Sequence, residues 1–238
     1  MSHDFCIRED HPLTELREQL NLTGRLQVPN FLTSDTAERL YGLLQNNQDW
    51  YLTYNEGQQN FESSMADFQR LPIPEQRRFM GGIYQRAQRE FQFVFRQYYI
   101  SRSVEKGENP GHPLHDWFDF INSEATLSYM RELTGNQEIR RSDAYASCYA
   151  PGDFLTQHED LHDSHDRVAA YVLSMTRDWK PDWGGYLAFY DDDDNVVEAF
   201  KPSFNTLNIF LIPQKHAVQM VSPFAGHART SFLGWLLR

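Results

Sequence analysis

The sequence predicts an α+β fold in which N-terminal helices pack on one sheet of a jelly roll. The first half has apolar residues at helical spacing, whereas the second half, from about Asp143, consists of short β-rich runs separated by turn residues. Several runs are apolar at both alternating sets of positions, so these strands must be covered on both faces. We therefore expect one compact domain of 238 residues, with residues 1–142 as a helical support and residues 143–238 as the jelly-roll core.

Three helices are predicted in the first half, over about 34–45, 74–99 and 123–133. The first follows a good N-cap, the second has a proline at its start, and the third is closed by Gly135. Residues 101–115 are rich in glycine, proline and charge, which predicts a loop.

Eight strands are predicted in the second half. They cover 144–149, 154–158, 168–175, 186–190, 196–200, 206–212, 217–221 and 230–237. Four consecutive aspartates and an asparagine separate the fourth run from the fifth, which predicts a hairpin turn. Eight such strands with short connections are typical of a sandwich or barrel of the jelly-roll type.

Composition narrows the function by exclusion. The chain has 22 lysines and arginines against 33 aspartates and glutamates, a net charge of −11, so we expect neither a nucleic-acid partner nor an anionic membrane partner. Its two cysteines provide neither a disulfide framework nor a thiolate zinc site. The N-terminus lacks the apolar stretch of a secretory signal, and no apolar run approaches the length of a membrane span, so we expect a cytoplasmic location.

A metal site is predicted where the second of these strands ends. His158 and Asp160 are two residues apart, and positions i and i+2 of a strand point to the same side. A third ligand, His216, follows a later strand. Two histidines and one carboxylate form the facial triad that binds non-haem Fe(II) and leaves coordination positions open.

A second interpretation of the same segment is a zinc hydrolase site. Residues 158–162 read His-Glu-Asp-Leu-His, a literal H-E-x-x-H motif in which His158, Glu159 and His162 would act together. That motif requires a helix, because only a helix places residues four apart on one face. The preceding Pro151–Gly152 pair and the strand-like 154–156 argue against a helix here.

The last predicted strand carries a candidate carboxylate-binding pair. Arg229 and Ser231 share one face of this strand, and a guanidinium can bind a carboxylate in a bidentate manner. The order of H-x-D, a distant histidine and then R-x-S within a strand-rich half is much less expected by chance than either motif alone.

Residues 143–238 resemble the 2-oxoglutarate and Fe(II)-dependent dioxygenases of the prolyl 4-hydroxylase-like group. The segments that carry the resemblance are 145–155, 158–160, 167–173, 179–185, 216–218 and 229–235. Residues 179–185, which read W-K-P-D-W-G-G, are most similar to the ribosomal-protein prolyl hydroxylase branch. The resemblance implies a double-stranded β-helix, the jelly roll of these enzymes.

The resemblance also implies roles for individual residues. Those at the metal and the cosubstrate are His158, Asp160 and His216 as Fe(II) ligands, Arg229 on the distal carboxylate of 2-oxoglutarate with Ser231 as helper, and Tyr149, with Tyr145 on the same strand face, as cosubstrate-binding tyrosines. Arg167 is a substrate-binding candidate at the entrance to the site. Ser174 stands where related hydroxylases often have a tyrosine, so the carboxylate pocket should differ in detail. Trp179 and Trp183 are expected to pack within a turn.

The implied reaction is hydroxylation of an unactivated C–H bond, with O2 consumed and succinate and CO2 as co-products. A prolyl residue of a protein or peptide is the leading substrate, with ascorbate as the reductant that sustains the iron. A small-molecule substrate remains open, as do the zinc hydrolase and a non-catalytic binding module of the same fold.

Overall fold

The computed structural model describes residues 5–161 and 166–238. The helices are α1 (Leu13–Thr23), α2 (Ser34–Asn46), α3 (Met65–Arg70), α4 (Ile73–Ala87), α5 (Ile100–Glu105), α6 (His115–Ile121) and α7 (Glu124–Thr134). The strands are β1 (Arg25–Pro29), β2 (Tyr51–Glu56), β3 (Gln59–Ser64), β4 (Phe93–Tyr98), β5 (Arg141–Ser142), β6 (Tyr145–Tyr149), β7 (Phe154–His158), β8 (Arg167–Ser174), β9 (Leu187–Tyr190), β10 (Val196–Phe200), β11 (Thr206–Leu211), β12 (His216–Val218) and β13 (Arg229–Leu237). No helix within these ranges is long and apolar enough to cross a membrane.

The strands pair in the order β1-β11-β8-β13-β6-β4-β7-β12-β9-β10, with the β2–β3 hairpin attached to β4. Neighbouring strands run antiparallel, and the sheet curls so that its two halves face each other across an interior. The predicted jelly roll is confirmed, and each of the eight strands predicted in the second half is present. The predicted hairpin around the aspartate run is formed by β9 and β10.

The N-terminal helices cover the outer face of one half of the sheet. Helices α1, α2, α6 and α7 share one apolar core with β1, β8, β11 and β13. At its centre the Trp117 ring stacks on Phe232, with ring centroids 4.7 Å apart. This packing explains why β8, β11 and β13 are apolar on both faces, since the other face lines the interior.

Helix α7 is capped at both ends, and its closure by Gly135 is as predicted. Ser123 accepts a hydrogen bond at its side chain from the backbone N–H of Thr126. Gly135 ends the helix in the left-handed conformation, with φ of 71°. A residue with a Cβ would adopt this conformation less readily.

The helix predicted over 74–99 is wrong in its second part. Helix α4 ends at Ala87, and residues 93–98 form β4, which lies between β6 and β7 in the sheet. The run is aromatic and β-branched, which favours a strand, and its side chains alternate between the interior and the outer face. The loop predicted over 101–115 is also partly wrong, because α5 occupies its beginning.

Residues 1–142 therefore contribute five strands, β1 to β5, as well as helices. Strand β1 extends the sheet beside β11, and β4 joins β6 to β7, so the sheet crosses the expected boundary at residue 142. The division into a helical support and a jelly-roll core stays a prediction about how the chain is organised.

A buried carboxyl group organises the turn between β6 and β7. The Asp153 Oδ2 atom accepts a hydrogen bond of 2.8 Å from the backbone N–H of Ala150, and Arg96 Nη1 lies 3.8 Å away. Asp153 is 4% exposed. Burial raises the pKa of Asp153 to about 7, and the Arg96 charge and the Ala150 N–H offset only part of this effect.

Replacing Asp153 by asparagine should change how stability depends on pH. The folded protein holds the Asp153 proton up to about pH 7, whereas an unfolded chain releases it near pH 4, so this group lowers the free energy of unfolding as pH rises between these values. The loss is at most about 4 kcal/mol. Asparagine does not ionise and keeps an oxygen for the Ala150 N–H, so the stability of D153N relative to the native chain should rise from pH 4 to pH 7 and then level off.

Denaturant unfolding at several pH values measures this difference. D192N provides the control, because Asp192 is an exposed residue of the β9–β10 turn and has no such buried partner. Its stability difference should stay flat over the same range. A D153N difference that does not change with pH would show that the Asp153 carboxyl is ionised throughout.

Candidate metal centre and cosubstrate pocket

Antiparallel pairing brings the three predicted metal ligands together. His158 ends β7 and His216 begins β12, and the two residues are direct partners in the β7–β12 ladder. Asp160 follows β7 by two residues. Its Oδ1 lies 3.5 Å from His158 Nε2, and its Oδ2 lies 3.5 Å from His216 Nε2. One ligand atom of each residue lies within 4.8 Å of the others, a spacing that suits one metal ion.

Backbone carbonyls orient both imidazoles. The Nδ1 atom of His158 lies 3.0 Å from the Thr156 carbonyl oxygen, and the Nδ1 atom of His216 lies 2.9 Å from the Gln214 carbonyl oxygen. A carbonyl only accepts, so each Nδ1 carries the proton and each Nε2 keeps its lone pair. Both lone pairs then face the same point, which is the second-sphere arrangement typical of metal-ligating histidines.

Burial sets the protonation states that a metal site requires. Burial, with the charge of the neighbouring His158, lowers the pKa of His216 to about 4. Burial also opposes ionisation of Asp160, but the interactions of its carboxylate with His158 and His216 outweigh burial and hold its pKa below the usual value. At neutral pH the set therefore offers a neutral imidazole and a carboxylate, the forms that bind a metal.

The ligands open into a cavity of about 700 Å³ that also contains Arg229. Arg229 begins β13, is 3% exposed, and holds its guanidinium 5.1 Å from the centre of the Tyr149 ring. Among the described residues no carboxylate forms an ion pair with Arg229, and its Nε has no hydrogen-bond partner. Burial accordingly lowers the pKa of this guanidinium.

A buried cation without a counter-ion is costly, so the pocket is suited to an anion. A guanidinium and an open metal site facing one cavity match the two ends of a dicarboxylate that chelates the metal at one end. The donor set, two neutral imidazoles and a carboxylate, fits Fe(II). The structure thus brings the three predicted metal ligands and Arg229 to one cavity, and their roles toward iron and 2-oxoglutarate stay predictions.

The two serines near Arg229 already have protein partners. The Ser231 Oγ lies 2.9 Å from the Ser147 Oγ and is fully buried, and the Ser174 Oγ accepts a hydrogen bond from the Ser203 N–H. The short Ser174 side chain is thus tied to the backbone of a neighbouring loop. The helper role predicted for Ser231 stays a prediction.

The predicted aromatic and substrate-binding residues also line the cavity. Tyr149 stacks on Phe95 at 4.6 Å, and Tyr145 stacks on Tyr99 at 4.0 Å, so both tyrosines face the interior from β6. Arg167 donates from Nη1 to the Asp160 carbonyl oxygen at 3.1 Å and lies 3.7 Å above the Trp235 ring. Arg167 therefore lies beside Asp160 in the cavity, and its substrate-binding role stays a prediction.

Comparison with known proteins identifies the domain. Residues 144–237 match the model of the 2OG-Fe(II) oxygenase superfamily. Over these residues the chain is similar to the 2OG-Fe(II) oxygenases. No curated protein is significantly similar to the chain in sequence.

Solved structures of similar fold include prolyl hydroxylases. A Pseudomonas putida prolyl-4-hydroxylase is 19% identical, with a TM-score of 0.57, over 95% of this chain and 98% of that one. A Burkholderia pseudomallei oxidoreductase of the 2OG-Fe(II) oxygenase family is 14% identical, with a TM-score of 0.61, over 99% and 95%. A Trichoplax adhaerens prolyl hydroxylase, solved with a peptide fragment of the hypoxia inducible factor oxygen degradation domain, is 19% identical, with a TM-score of 0.60, over 94% and 88%. At these identities the likeness establishes the fold.

The zinc hydrolase interpretation finds no support in the described residues. His162 lies outside the described residues, so the structure does not place it. Residues 154–158 form a strand and the described 159–161 form no helix, so the helix on which an H-E-x-x-H motif depends is not formed there. His158 is instead oriented toward Asp160 and His216.

The W-K-P-D-W-G-G segment packs against the stem of Arg229. Trp179 Nε1 donates to the Gly184 carbonyl at 2.9 Å, and Gly184 and Gly185 both have positive φ. A Cβ on Gly185 would lie 3.1 Å from Val221 Cγ2, 3.2 Å from Trp179 Cζ2 and 3.6 Å from Arg229 Cδ. The structure places Trp179 and Trp183 in perpendicular ring contact within this turn, which fits the expected turn packing.

We expect Gly185→Ala to weaken 2-oxoglutarate binding by about tenfold and to lower the free energy of unfolding by about 1–3 kcal/mol. The new methyl group needs a strained backbone and crowds the side chains that hold Arg229. Isothermal titration with 2-oxoglutarate and denaturant unfolding measure the two effects.

Gly107→Ala separates backbone strain from crowding. Gly107 has φ of 65°, close to the 66° of Gly185, but a Cβ there meets nothing within 4 Å. The control should lose stability without losing affinity for 2-oxoglutarate. Equal losses of affinity in both variants would mean that Gly185 does not position Arg229.

Sequence reasoning missed part of the cavity lining. Phe93, Phe95 and Tyr99 reach the cavity from β4 and its end, and the β2–β3 hairpin adds Thr53 and Glu62. The residues of β4 were missed because they were predicted as helix, and Thr53 and Glu62 were missed because no strand was predicted in their segment. The available signal was the alternation of residues 93–99, in which every second side chain is aromatic or amide.

Proposed function

We propose that the chain hydroxylates a prolyl residue of a protein or peptide, with Fe(II), 2-oxoglutarate and O2 as cofactor and cosubstrates. The observation that carries the proposal is that one cavity contains both the His158–Asp160–His216 set and the buried Arg229, which has no ion-pair partner among the described residues. Bound iron, with 2-oxoglutarate and O2, supplies the oxidation of an unactivated C–H bond, and succinate and CO2 are the co-products.

The protein's own contribution is positioning and exclusion of water. The Thr156 and Gln214 carbonyls hold the two imidazoles, and Arg229, in the same cavity, binds the distal carboxylate of the cosubstrate. Apolar side chains such as Leu155 and Val218 line the cavity beside the ligands and keep it dry. Arg167, held over Trp235, contacts the substrate.

A peptide substrate is supported by the cavity and by the neighbours. About 700 Å³ exceeds what a single cosubstrate fills, and is within the range of cavities that enclose a large ligand. Two of the fold neighbours are prolyl hydroxylases, and one was solved with a bound peptide fragment. The ribosomal-protein resemblance of residues 179–185 makes a ribosomal protein the first substrate to test.

The test is to incubate the protein with Fe(II), 2-oxoglutarate and ascorbate, the proposed reductant, and with ribosomal proteins, proline-containing peptides and free amino acids in separate reactions. Succinate release and a mass gain of one oxygen atom at proline are the expected results. Succinate and oxygen incorporation only with a free amino acid would overturn the peptide substrate. Absence of both with every substrate, although metal and 2-oxoglutarate bind, would favour the binding module.

A further inference from the structure

The cavity has two chemically different walls. The wall contributed by β7, β8, β9, β11 and β12 is mostly apolar around the metal ligands. A second part of the lining comes from the β2–β3 hairpin, β4 and its end, and α5. Apart from Phe93 and Phe95, its members can all form hydrogen bonds. We call these polar members the hairpin wall, and they are Thr53, Asn60, Glu62, Gln97, Tyr99 and Arg102.

An internal ion pair neutralises the hairpin wall. Arg102 Nη2 lies 2.7 Å from Glu62 Oε2, and Gln97 Nε2 donates to Glu62 Oε1 at 2.9 Å. The two charged side chains are about one-third exposed, at 33% and 27%, so they face the cavity and not bulk solvent alone. The remaining members carry amide or hydroxyl groups, which can both donate and accept.

Contacts connect this wall to the metal centre. Arg102 lies over Tyr99 at 5.2 Å, Tyr99 stacks on Tyr145 at 4.0 Å, and the Tyr145 ring meets Trp235 edge-on at 5.5 Å. Trp235 in turn carries Arg167, which is bound to the Asp160 carbonyl. A substrate that reaches the metal from the cavity mouth therefore has this continuous surface beside it.

Neutral groups that both donate and accept match the amides of a polypeptide main chain. A hydrocarbon would leave these polar groups without partners, and a free amino acid would place a carboxylate and an ammonium group against a wall whose charges are already paired. The site then selects between an amide-linked residue and a free amino acid by the number of polar or charged groups that each would bury without a partner.

We infer that the hairpin wall binds main-chain amides that flank the oxidised residue, and that the Glu62–Arg102 pair makes the oxygenase selective for peptide-linked over free amino acids. This inference rests on the proposed function, since it identifies the features of its substrate. The Glu62 side chain is the specificity-determining group, because it removes the charge with which Arg102 would hold a free carboxylate.

The experiment compares two probes on protein loaded with Mn(II) and 2-oxoglutarate, so that no turnover occurs. The probes are free L-proline and a set of N-acetylated, C-amidated pentapeptides with a central proline and varied flanks. We expect the best peptide to bind about tenfold more tightly than L-proline. Glu62→Gln should leave Arg102 unpaired and reduce that preference by about tenfold, through tighter L-proline binding and weaker peptide binding.

Two further variants control for damage to the fold. The double variant E62Q/R102Q restores a neutral wall and should recover most of the peptide preference. Glu56→Gln breaks another ion pair of the same hairpin, the 3.6 Å contact with Arg86, and should leave the preference unchanged. An unchanged preference in E62Q, a double variant that stays as impaired as E62Q, or L-proline binding as tightly as the best peptide would each overturn the inference.

The inference about the hairpin wall and the proposed function can fail independently in these experiments. Peptide binding that follows these expectations without succinate or hydroxylated product under Fe(II) would overturn the hydroxylase proposal and leave the hairpin wall assigned. If prolyl hydroxylation occurs and the Glu62 variants do not change it, the hydroxylase proposal stands and the hairpin-wall inference is wrong.

Discussion

Asp160→Ala is expected to abolish metal binding under conditions in which the native chain is saturated. The Asp160 carboxylate is the only anionic member of the triad in the described structure and lies 3.5 Å from the Nε2 atoms of both histidines. Loss of even an outer partner of a metal ligand costs about 10–100-fold in affinity, so loss of the carboxylate itself should cost about 100-fold or more. Because 2-oxoglutarate binds partly through the metal, its metal-dependent binding should disappear as well.

The neighbouring Glu159→Ala variant is the matched control. Glu159 is exposed and lies at the edge of the same cavity, but its carboxylate is not part of the triad. Titration with Fe(II) or Mn(II), with and without 2-oxoglutarate, should therefore leave Glu159→Ala close to the native chain. The zinc hydrolase interpretation requires the opposite pattern, because Glu159 would be its general base. If Glu159→Ala lost metal binding while Asp160→Ala kept it, the assignment of His158, Asp160 and His216 as the metal ligands would be wrong.

The metal site could be predicted from sequence because its geometry depends on strand periodicity. His158 and Asp160 are two residues apart at a strand end, so any strand at that place puts them on one side. His216 was found by its position after a later strand, and the β7–β12 register then places it directly opposite His158. These features depend on local pattern and on the order of elements, which a sequence displays.

The hairpin wall could not be predicted because it depends on long-range pairing. Residues 93–98 have an aromatic pattern compatible with helix or strand. They form a strand because they pair with β6 and β7, which the local sequence does not show. The ion pair between Glu62 and Arg102 joins β3 to α5, and no sequence motif connects these two segments. The unpaired state of Arg229 was also hidden, since it follows from what surrounds the side chain and not from the residue itself.

The burial of Arg229 also leads to two predicted effects of opposite sign, one on 2-oxoglutarate affinity and one on stability. Arg229→Met should weaken 2-oxoglutarate binding by about 100-fold or more, because the charged partner of a buried carboxylate is lost. Without 2-oxoglutarate, the same change should raise the free energy of unfolding. It replaces a buried guanidinium, which has no counter-ion among the residues that the structure describes, by an apolar side chain of similar length.

Thermal unfolding with and without 2-oxoglutarate, in the presence of Mn(II), measures both effects in one experiment. The Tm of the native chain should rise with 2-oxoglutarate because the ligand binds only the folded state, and the Tm of R229M should not. R229K keeps the charge but loses the planar fork, so its response should fall between them.

Arg167→Met removes the other arginine beside the metal centre, and it should retain the 2-oxoglutarate response while losing affinity for the peptide probes. A native-like response in R229M would place the distal carboxylate elsewhere in the cavity. A large fall in its stability without ligand would show that the guanidinium has an internal partner that stabilises it.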